Sequence, residues 1–328
     1  MSRRPRRPSA RDVDGLLLLD KPLGVSSNGA LQTVRRLFNA RKAGHTGSLD
    51  PLASGMLPVC LGEATKISQF LLDADKHYEV LAVLGVRSNT GDLEGELTPD
   101  PAGAEHIDAA ALEQAIAGLR GSIDQLPPMH SAVKQDGKRL YKLARNGVSV
   151  DRPVRRVRIE LFEWVGGEPS RPRLRVHCSK GTYIRSLIED LGEALGCGAY
   201  VHELRRSSMV PFEGAPMVTL EQLETLREQQ GMAALDALLM GMDRALADMP
   251  SVELAQDQAH AIAHGQKVDC LPDDAGPEGL WRMYAPGECF IGMGRTASDG
   301  LLAPARLLST ARALSAEHTD SRVETVND

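Results

Sequence analysis

The sequence lacks the features typical of exported or membrane proteins. Its cysteines are odd in number and none forms a C-x-x-C pair; they stand at positions 60, 178, 197, 270 and 289. This pattern favours free thiols over a disulfide framework, as expected in a reducing cytoplasm. No apolar run approaches the roughly 20 residues that a membrane helix needs. The run Leu16 to Leu19 ends at Asp20 and Lys21 with no small-residue cleavage site after it, so we expect a cytoplasmic protein without membrane contact.

Common catalytic and cofactor motifs are also missing. No G-x-x-x-x-G-K-[ST] loop is present to bind a nucleotide phosphate, and no G-x-S-x-G sequence presents a nucleophilic serine. His260 and His264 have helical i, i+4 spacing, but Gly265 follows them and no acid stands nearby. Such a pair is more typical of an ordinary helix surface than of a metal site. We therefore expect no metal and no cofactor.

Positive charge is scarce overall but concentrated in one part of the chain. The formal net charge of −6 argues weakly against a nucleic-acid partner. Residues 213–328, however, contain 8 Lys and Arg against 19 Asp and Glu, which leaves residues 1–212 with a net charge of +5. Residues 131–158 contain nine basic residues and two acids, with Tyr141 among them and His130 directly before. Such a segment can follow a phosphate backbone and stack on bases, although an isolated basic run is more often a solvated loop.

Length and patterning predict two folded parts with a tail at each end. A chain of 328 residues exceeds one ordinary core. Strand and helix patterns mix irregularly over residues 13–248, which predicts an α+β domain. Short segments rich in Gly and Pro occupy residues 249–309 and predict a small β-barrel. Residues 1–12 are rich in arginine and residues 310–328 are polar and acidic, so we interpret both as solvated tails.

Periodicity places individual elements. Alternation over residues 77–90 predicts a strand with two mostly apolar faces, as in the centre of a sheet. Residues 108–122 predict an amphipathic helix that Gly121 ends. Residues 173–195 predict a strand, a tight Ser-Lys-Gly turn and a helix, and a further strand is expected around Leu204.

One short segment, GHTGSLDPLASG at residues 44–55, places three glycines and a proline around a single carboxylate, Asp50. Aspartate before proline is most often only a turn residue. A carboxylate on a glycine-rich loop can also act as nucleophile or base at a sugar or an electrophilic ring. The segment alone leaves both interpretations open.

Four motifs in order favour the catalytic interpretation. GHTGSLDPLASGMLPVCLGEATK, residues 44–66, resembles the catalytic motif of the TruB family of pseudouridine synthases. DKPLGVSS at 20–27 resembles the family's first motif, and CSKGTYIRSL at 178–187 its later arginine-bearing motif. VHELRRSSMVPF at 201–212 resembles the segment that follows, so the resemblance extends over residues 13 to about 245.

The resemblance implies a fold and a reaction. The fold is the pseudouridine synthase fold, an α+β structure with a mixed, largely antiparallel central sheet flanked by helices. The reaction converts uridine 55 in the T loop of tRNA to pseudouridine: the glycosidic nitrogen–carbon bond breaks, the uracil turns, and carbon five rejoins the sugar. An isomerisation of this kind requires no redox cofactor, ATP or metal. Because the uridine is inaccessible inside the folded loop, the enzyme must flip it out.

The resemblance also implies catalytic roles. Asp50 matches the family's nucleophile, which must be ionised to attack. Arg185 matches an arginine that pairs with this aspartate and keeps it charged, although alone it is typical of a helix surface. Tyr78 matches a tyrosine that stacks on the target base and is a candidate for proton transfer, although alone it fits a core strand. Asp92 matches a family acid whose role the sequence does not assign.

Further matched positions surround these residues. Tyr183 and Leu204 match residues that line the same pocket, and His45 matches a residue that contacts the extruded nucleotide. Lys21 and Pro22 match positions that brace the catalytic loop.

The resemblance gives two further segments a role in RNA binding. The basic segment 126–156 corresponds to an insertion that closes over the T loop, where recognition relies on loop shape, phosphates and stacked bases. Residues 250–308 resemble, less specifically, a small PUA-type RNA-binding domain, and their acidity weakens the case for strong RNA contact. The tails fall outside the resemblance. The expected partner is the T arm of tRNA, bound by a monomer.

Three alternatives remain open. A guided pseudouridine synthase would carry an N-terminal extension, whereas this chain reaches DGLLLLDKP within fourteen residues, which favours standalone action. A non-catalytic tRNA-binding or tRNA-folding protein could use the same surface, although the intact set of Asp50, Tyr78 and Arg185 argues against it. An α+β protein with an ordinary turn aspartate would make four ordered motif matches a coincidence.

Overall fold

The computed structural model describes residues 9–128, 134–135, 138–139, 152–272, 274–276 and 278–311. Most of the basic segment 126–156, including Tyr141 and His130, lies outside the described residues, as does most of each predicted tail.

The elements alternate irregularly along the chain. The strands are β1 Gly15–Lys21, β2 Ala43–His45, β3 Ala53–Leu61, β4 Lys76–Leu84, β5 Val86–Ser88, β6 Leu97–Pro99, β7 Gly121–Gln125, β8 Lys134–Gln135, β9 Lys138–Arg139, β10 Arg155–Gly166, β11 Arg173–Cys178, β12 Ala199–Met209, β13 Val218–Thr219, β14 Ser251–Glu253, β15 Leu280–Ala285, β16 Cys289–Thr296 and β17 Leu302–Leu307. The α-helices are α1 Ser27–Leu37, α2 Ser68–Leu72, α3 Ala109–Gly118, α4 Ile184–Ala194, α5 Leu220–Gln230, α6 Met232–Asp236 and α7 Gln256–Ala263. Short 3-10 helices span Gly62–Lys66 and Met242–Leu246.

Nine of the described strands form one central sheet. Its order is β13-β1-β3-β12-β4-β11-β10-β7, and β2 pairs with β3 outside this path. The pairs β1·β13 and β3·β12 are parallel and the others are antiparallel. This arrangement confirms the prediction of an α+β fold with a mixed sheet. β4 lies between β12 and β11, which confirms its predicted position inside the sheet.

Two element boundaries differ from the sequence-based expectation. The strand expected over residues 77–90 is interrupted at Gly85, whose positive φ of 79° separates β4 from β5. The helix α3 ends at Gly118, earlier than expected, and Gly121 begins the edge strand β7. In both places a glycine with positive φ turns the chain into a new strand, because glycine adopts this conformation without the steric cost of a Cβ.

Helices cover the sheet with apolar side chains. α1 begins where the Ser26 side chain accepts a hydrogen bond from the Gly29 N–H, and it buries Leu31 and Val34 in a cluster with residues of β1 and β3. α4 buries Leu187 and Leu191 against side chains of β4, β11 and β12. The first turn of α4 therefore lies at the edge of the main core, and this turn carries Arg185.

The C-terminal region forms a smaller sheet of order β14-β15-β16-β17. It packs on the central body through Met293, which shares a cluster with Leu16 and Met56. The Ser309 N–H donates to Glu63 Oε2 at 2.7 Å, and Lys66 Nζ donates to the Leu307 carbonyl at 3.2 Å, across the same contact. The region also contains α7, which the strand-rich pattern of this part did not predict. Within the described part of the chain, no helix is both long and apolar enough to cross a membrane.

A substitution at Gly192 tests how closely α4 packs against the start of β12. A Cβ at this position would overlap the backbone of Gly198 and Ala199, so we expect Gly192→Ala to lower the free energy of unfolding by roughly 1–3 kcal/mol. Gly118→Ala is the matched control, because nothing lies within 4 Å of a Cβ there; the higher helix propensity of alanine should leave stability unchanged or raise it by up to about 1 kcal/mol. Urea unfolding measures both, and equal stability of the Gly192 variant and the wild type would contradict the close contact.

Candidate active site

The loop that carries Asp50 connects β2 to β3 and is fixed by the segment that connects β1 to α1. The Ser27 hydroxyl accepts from the Leu49 N–H at 2.7 Å and donates to the Leu49 carbonyl at 2.9 Å. The Gly24 N–H donates to the Pro51 carbonyl at 2.8 Å. The residues on both sides of Asp50 are thus held by backbone hydrogen bonds, which limit the positions that its carboxylate can take.

Arg185 lies between two carboxylates. Its Nη2 is 2.9 Å from Asp50 Oδ2, and its Nη1 is 3.3 Å from Asp92 Oδ2. Nη1 also donates to the Thr90 carbonyl at 2.8 Å. The Arg185 side chain is 5% exposed, whereas that of Asp50 is 44% exposed. In this ion pair the carboxylate of Asp50 therefore faces solvent, whereas the guanidinium of Arg185 lies inside the protein.

Asp92 is the inner partner in this arrangement. It is buried, and its Oδ1 accepts from the Thr90 hydroxyl at 2.6 Å and from the Glu94 N–H at 3.0 Å. These hydrogen bonds orient the carboxylate that holds the second nitrogen of Arg185. The structure thus supplies a contact for a residue to which the sequence assigned no role.

Burial and charge act in opposite directions on Asp50. Loss of solvation raises its pKa above the ordinary value, and the charge of Arg185 opposes this rise, while the nearby Asp92 adds to it. The pair with Arg185 is consequently the main interaction that favours the ionised carboxylate.

A cleft of about 290 Å³ opens beside this pair. It brings together five of the residues singled out in the sequence, namely Asp50, Tyr78, Tyr183, Arg185 and Leu204. Tyr78 is buried on β4, Leu204 is buried on β12, and Tyr183 directly precedes α4. Burial raises the pKa of Tyr78, and the charge of Arg206 opposes this rise. The cleft therefore combines an exposed carboxylate, a buried phenol and an apolar wall.

His45, Lys21 and Pro22 lie outside the lining of this cleft. His45 is on β2 opposite Val59, and its Nδ1 is buried without a hydrogen-bond partner among the described residues. Burial lowers the pKa of His45, so its neutral form is favoured. The structure thus places this histidine in the strand that leads into the Asp50 loop.

Lys21 ends β1 and is completely buried. Its Nζ donates to the carbonyls of Pro22 at 2.8 Å and Val25 at 2.7 Å. Burial lowers its pKa to about 8, and the charge of Asp50 partly opposes this effect. The ammonium group therefore organises the turn that hydrogen-bonds the Asp50 loop.

Three residues of this region were not singled out in the sequence: Lys76, Gln125 and Arg206. Lys76 and Arg206 line the cleft and are buried. Lys76 precedes Tyr78 by two residues on β4, so the period of a strand places both side chains on one face. Arg206 stands in the quoted segment VHELRRSSMVPF, two residues after Leu204. The period of a strand places both side chains on one face, and this is the signal that could have identified it.

Gln125, at the end of β7, fixes the start of α4. Its Oε1 accepts from the Tyr183 N–H at 2.7 Å, and its Nε2 donates to the Tyr183 carbonyl at 3.1 Å. Tyr183 is the N-cap residue of α4 and makes no side-chain cap of its own. The side-chain amide of Gln125 therefore holds the backbone of the N-cap residue by hydrogen bonds from another part of the chain, one residue before the helix begins.

The histidine pair lies at the C-terminal end of α7. The rings of His260 and His264 are 4.4 Å apart, and His264 Nδ1 lies 2.9 Å from the His260 carbonyl. Among the described residues, no group of three or more His, Cys, Asp and Glu side chains is arranged to hold a metal ion.

Comparison with known protein families covers most of the chain. The model of the TruB family pseudouridylate synthase (N terminal domain) matches residues 35–184. The models of the tRNA pseudouridylate synthase B C-terminal domain and of pseudouridine synthase II TruB, C-terminal, match residues 185–247 and 250–308. The tRNA pseudouridine synthase B of Pseudomonas putida (strain F1) is 52% identical over 300 residues, covering 91% of this chain and 96% of that protein. The chain belongs to the TruB family of tRNA pseudouridine synthases.

Membership of the TruB family makes the protein an isomerase and confirms the resemblance inferred from the motifs. The tRNA pseudouridine synthase B of Nitrosococcus oceani is 49% identical over 310 residues, covering 93% of this chain and 98% of its own. Similar solved structures include a Cbf5-Nop10-Gar1 complex, with 26% identity, a TM-score of 0.69 and coverage of 92% and 88% of the two chains. An H/ACA RNP bound to a substrate RNA containing 2'-deoxyuridine has 25% identity, a TM-score of 0.68 and coverage of 89% and 84%.

Gln125 can be tested without an activity assay. Gln125→Ala leaves the N–H of Tyr183 unpaired, while the Tyr183 carbonyl keeps the hydrogen bond from the Leu187 N–H. We therefore expect the free energy of unfolding to fall by about 1–3 kcal/mol and hydrogen exchange to accelerate at the start of α4. Ser122→Ala, an exposed position on the same strand, is the control. Urea unfolding and peptide-level hydrogen exchange measure the two effects, and unchanged exchange around Tyr183 would contradict the capping role.

Proposed function

We propose that this TruB family enzyme converts uridine 55 in the T loop of tRNA to pseudouridine, with Asp50 as the nucleophile and without an added cofactor. The observation that carries the proposal is the 2.9 Å contact between the partly exposed carboxylate of Asp50 and the buried guanidinium of Arg185, both of which line a cleft together with Tyr78. A carboxylate that is oriented by an arginine and accessible to a substrate can act as a nucleophile.

The proposed reaction is balanced within the nucleotide. The bond between N1 of uracil and C1′ of ribose breaks and a bond between C5 and C1′ forms, while C5 loses a proton and N1 gains one. Asp50 forms a transient covalent bond, to the uracil ring or to the ribose, and leaves when the new carbon–carbon bond is complete. Arg185 stabilises the charged carboxylate before attack and after release.

Tyr78 and the apolar wall are proposed to hold the base. The phenol of Tyr78 offers a flat face for stacking and a hydroxyl for proton transfer at C5. Leu204 and Tyr183 flank the same cleft. A flipped uracil in such a cleft is separated from its neighbours in the loop, so it can turn without leaving the enzyme.

Binding of the T arm is proposed to extend beyond the cleft. The basic segment 126–156 would contact the phosphates around the flipped base, and His45 would contact the extruded nucleotide. Residues 13–248 would form the catalytic domain and residues 249–309 a PUA-like domain in which the four-stranded sheet is part of a closed barrel. We propose that the enzyme acts as a cytoplasmic monomer without a guide RNA.

A second candidate function is action within a guided RNA–protein complex, because similar solved structures are described as H/ACA complexes. The relatives described as tRNA pseudouridine synthase B are about twice as similar in sequence, with 52% identity against 25%. This difference favours the standalone reaction on tRNA.

Pseudouridine formation in an unmodified tRNA transcript tests the proposal. The purified protein without cofactor should convert uridine 55, and Asp50→Asn should lose at least about 1,000-fold in rate, the scale expected when a covalent nucleophile is removed. The exposed Asp248→Asn is the control, and a transcript with cytidine at position 55 tests the site. A wild type that binds the transcript but forms no product would favour a guided or non-catalytic role.

Asp92 offers a test through pH. Because burial and Asp92 both raise the pKa of Asp50, the rate of the wild type should fall on acidification at a pH above the ordinary range of an aspartate. Asp92→Asn removes one of these causes, so the acidic limb should move to lower pH. It also removes one carboxylate from Arg185, which should slow the reaction at neutral pH by roughly 10-fold, since such a hydrogen bond contributes about 1.5 kcal/mol.

Single-turnover rates over a range of pH provide the measurement for Asp92→Asn. The exposed Asp124→Asn on β7 should leave the profile unchanged. An acidic limb that moves to higher pH in Asp92→Asn would contradict the arrangement.

A further inference from the structure

Arg206 is the most deeply buried arginine near the cleft. It lies on β12 opposite Tyr78 of the neighbouring strand β4, and only 1% of its surface is exposed. None of the ion pairs among the described residues involves Arg206, unlike Arg185 and the adjacent Arg205. A buried guanidinium without a carboxylate partner is costly, so its presence beside the cleft calls for a reason other than stability.

The guanidinium of Arg206 connects the two sides of the Asp50 loop. Its Nη2 donates to the Gly47 carbonyl at 2.9 Å, before Asp50 in the chain. Its Nε donates to the Met56 carbonyl at 2.6 Å, after Asp50. One rigid, planar group therefore sets the distance between the beginning and the end of the loop.

Two glycines of the motif GHTGSLDPLASG make room for this arginine. A Cβ on Gly47 would lie 3.2 Å from Arg206 Nη1, and a Cβ on Gly55 would collide with the Arg206 carbonyl oxygen. Both glycines also have positive φ, 68° and 99°, which other residues rarely adopt. The spacing of glycines around the carboxylate thus reflects the position of Arg206 and not only the need for a turn.

Arg206 also supplies positive charge to the wall of the cleft. Its charge favours the ionised form of Tyr78, against the effect of burial. Burial lowers the pKa of the adjacent Lys76 to about 8, and Arg206 adds to this effect. The cleft thus contains a second buried guanidinium. Arg206 lies beside Tyr78 and the Asp50 loop, whereas Arg185 pairs with Asp50 itself.

We propose that Arg206 is a positioning residue for the reaction: it fixes both ends of the Asp50 loop beside Tyr78, so that it acts on the proton-transfer step and not on tRNA binding. This inference rests on the proposed function of Tyr78 and Asp50. Arg206 would act without an ion pair to Asp50 or Asp92, the two carboxylates that pair with Arg185.

The test compares Arg206→Lys and Arg206→Gln with the wild type on an unmodified tRNA transcript. Both should bind the transcript with a Kd within about 3-fold of the wild type, since the guanidinium is buried. Single-turnover rates at neutral pH should fall by about 100-fold, the scale of one proton-transfer group. The part of the pH–rate profile that follows the ionisation of Tyr78 should move to higher pH. The shift should be larger in Arg206→Gln than in Arg206→Lys, because glutamine removes the charge that favours the ionised phenol.

Controls separate this role from a loss of structure. Arg175→Lys changes an exposed arginine of the same sheet that pairs with Glu163 at 2.7 Å, and it should behave like the wild type. Gly47→Ala keeps the charge of Arg206 but displaces its guanidinium, so it should slow the reaction with a smaller shift in pH. Circular dichroism and urea unfolding identify any variant that does not fold, in which case Arg206→Lys and Gly47→Ala carry the comparison.

Several results would overturn the inference. A wild-type rate in Arg206→Gln would do so, as would a slower reaction with an unshifted pH profile, which indicates structural support alone. A large loss of transcript binding with an unchanged rate at saturation would assign Arg206 to RNA contact. If the wild type itself formed no pseudouridine, the proposed function would fail, whereas an active wild type with an unaffected Arg206→Gln variant would refute only the inference about Arg206.

Discussion

A guanidinium that is almost fully enclosed by protein needs acceptors for its charge, and Arg185 finds them in Asp50, Asp92 and the carbonyl of Thr90. These acceptors come from two loops that are distant in sequence, and the arginine comes from the first turn of α4. The pairing therefore requires the sheet to bring three separate segments to one point. It also determines the character of the site, because the inner carboxylate is buried and the outer one is open to a substrate.

The buried Asp92 and the more exposed Asp50 have different surroundings. The supporting contacts lie inward, where hydrogen bonds are stronger and side chains have little freedom. Ser27 and Gly24 hold the backbone on either side of Asp50, and Gln125 holds the start of α4. The carboxylate of Asp50 itself stays at the surface of the cleft. A substrate as large as a folded RNA can approach such a group, while the surrounding contacts keep its position constant.

Charge is distributed over the molecule in a way that suits this approach. The net charge is negative, yet residues 1–212, which carry the cleft, have a net charge of +5, and the excess of acids lies in residues 213–328. The C-terminal sheet contacts the body through Met293 and the hydrogen bonds of Glu63 and Lys66. An anionic partner is thus attracted toward the half of the chain that contains Asp50.

The sequence by itself determined the α+β class, the central position of β4 and the carboxylate around which the site is built, because periodicity and a glycine-rich motif are local properties. Resemblance, not spacing, connected Asp50 with Arg185 and Tyr78. Only the tertiary structure decided that Asp92 is the second acceptor of Arg185 and that Gln125 caps α4, as well as the contact of Arg206 with both ends of the Asp50 loop. These contacts depend on the order of strands and on the direction of buried side chains, which no local pattern records.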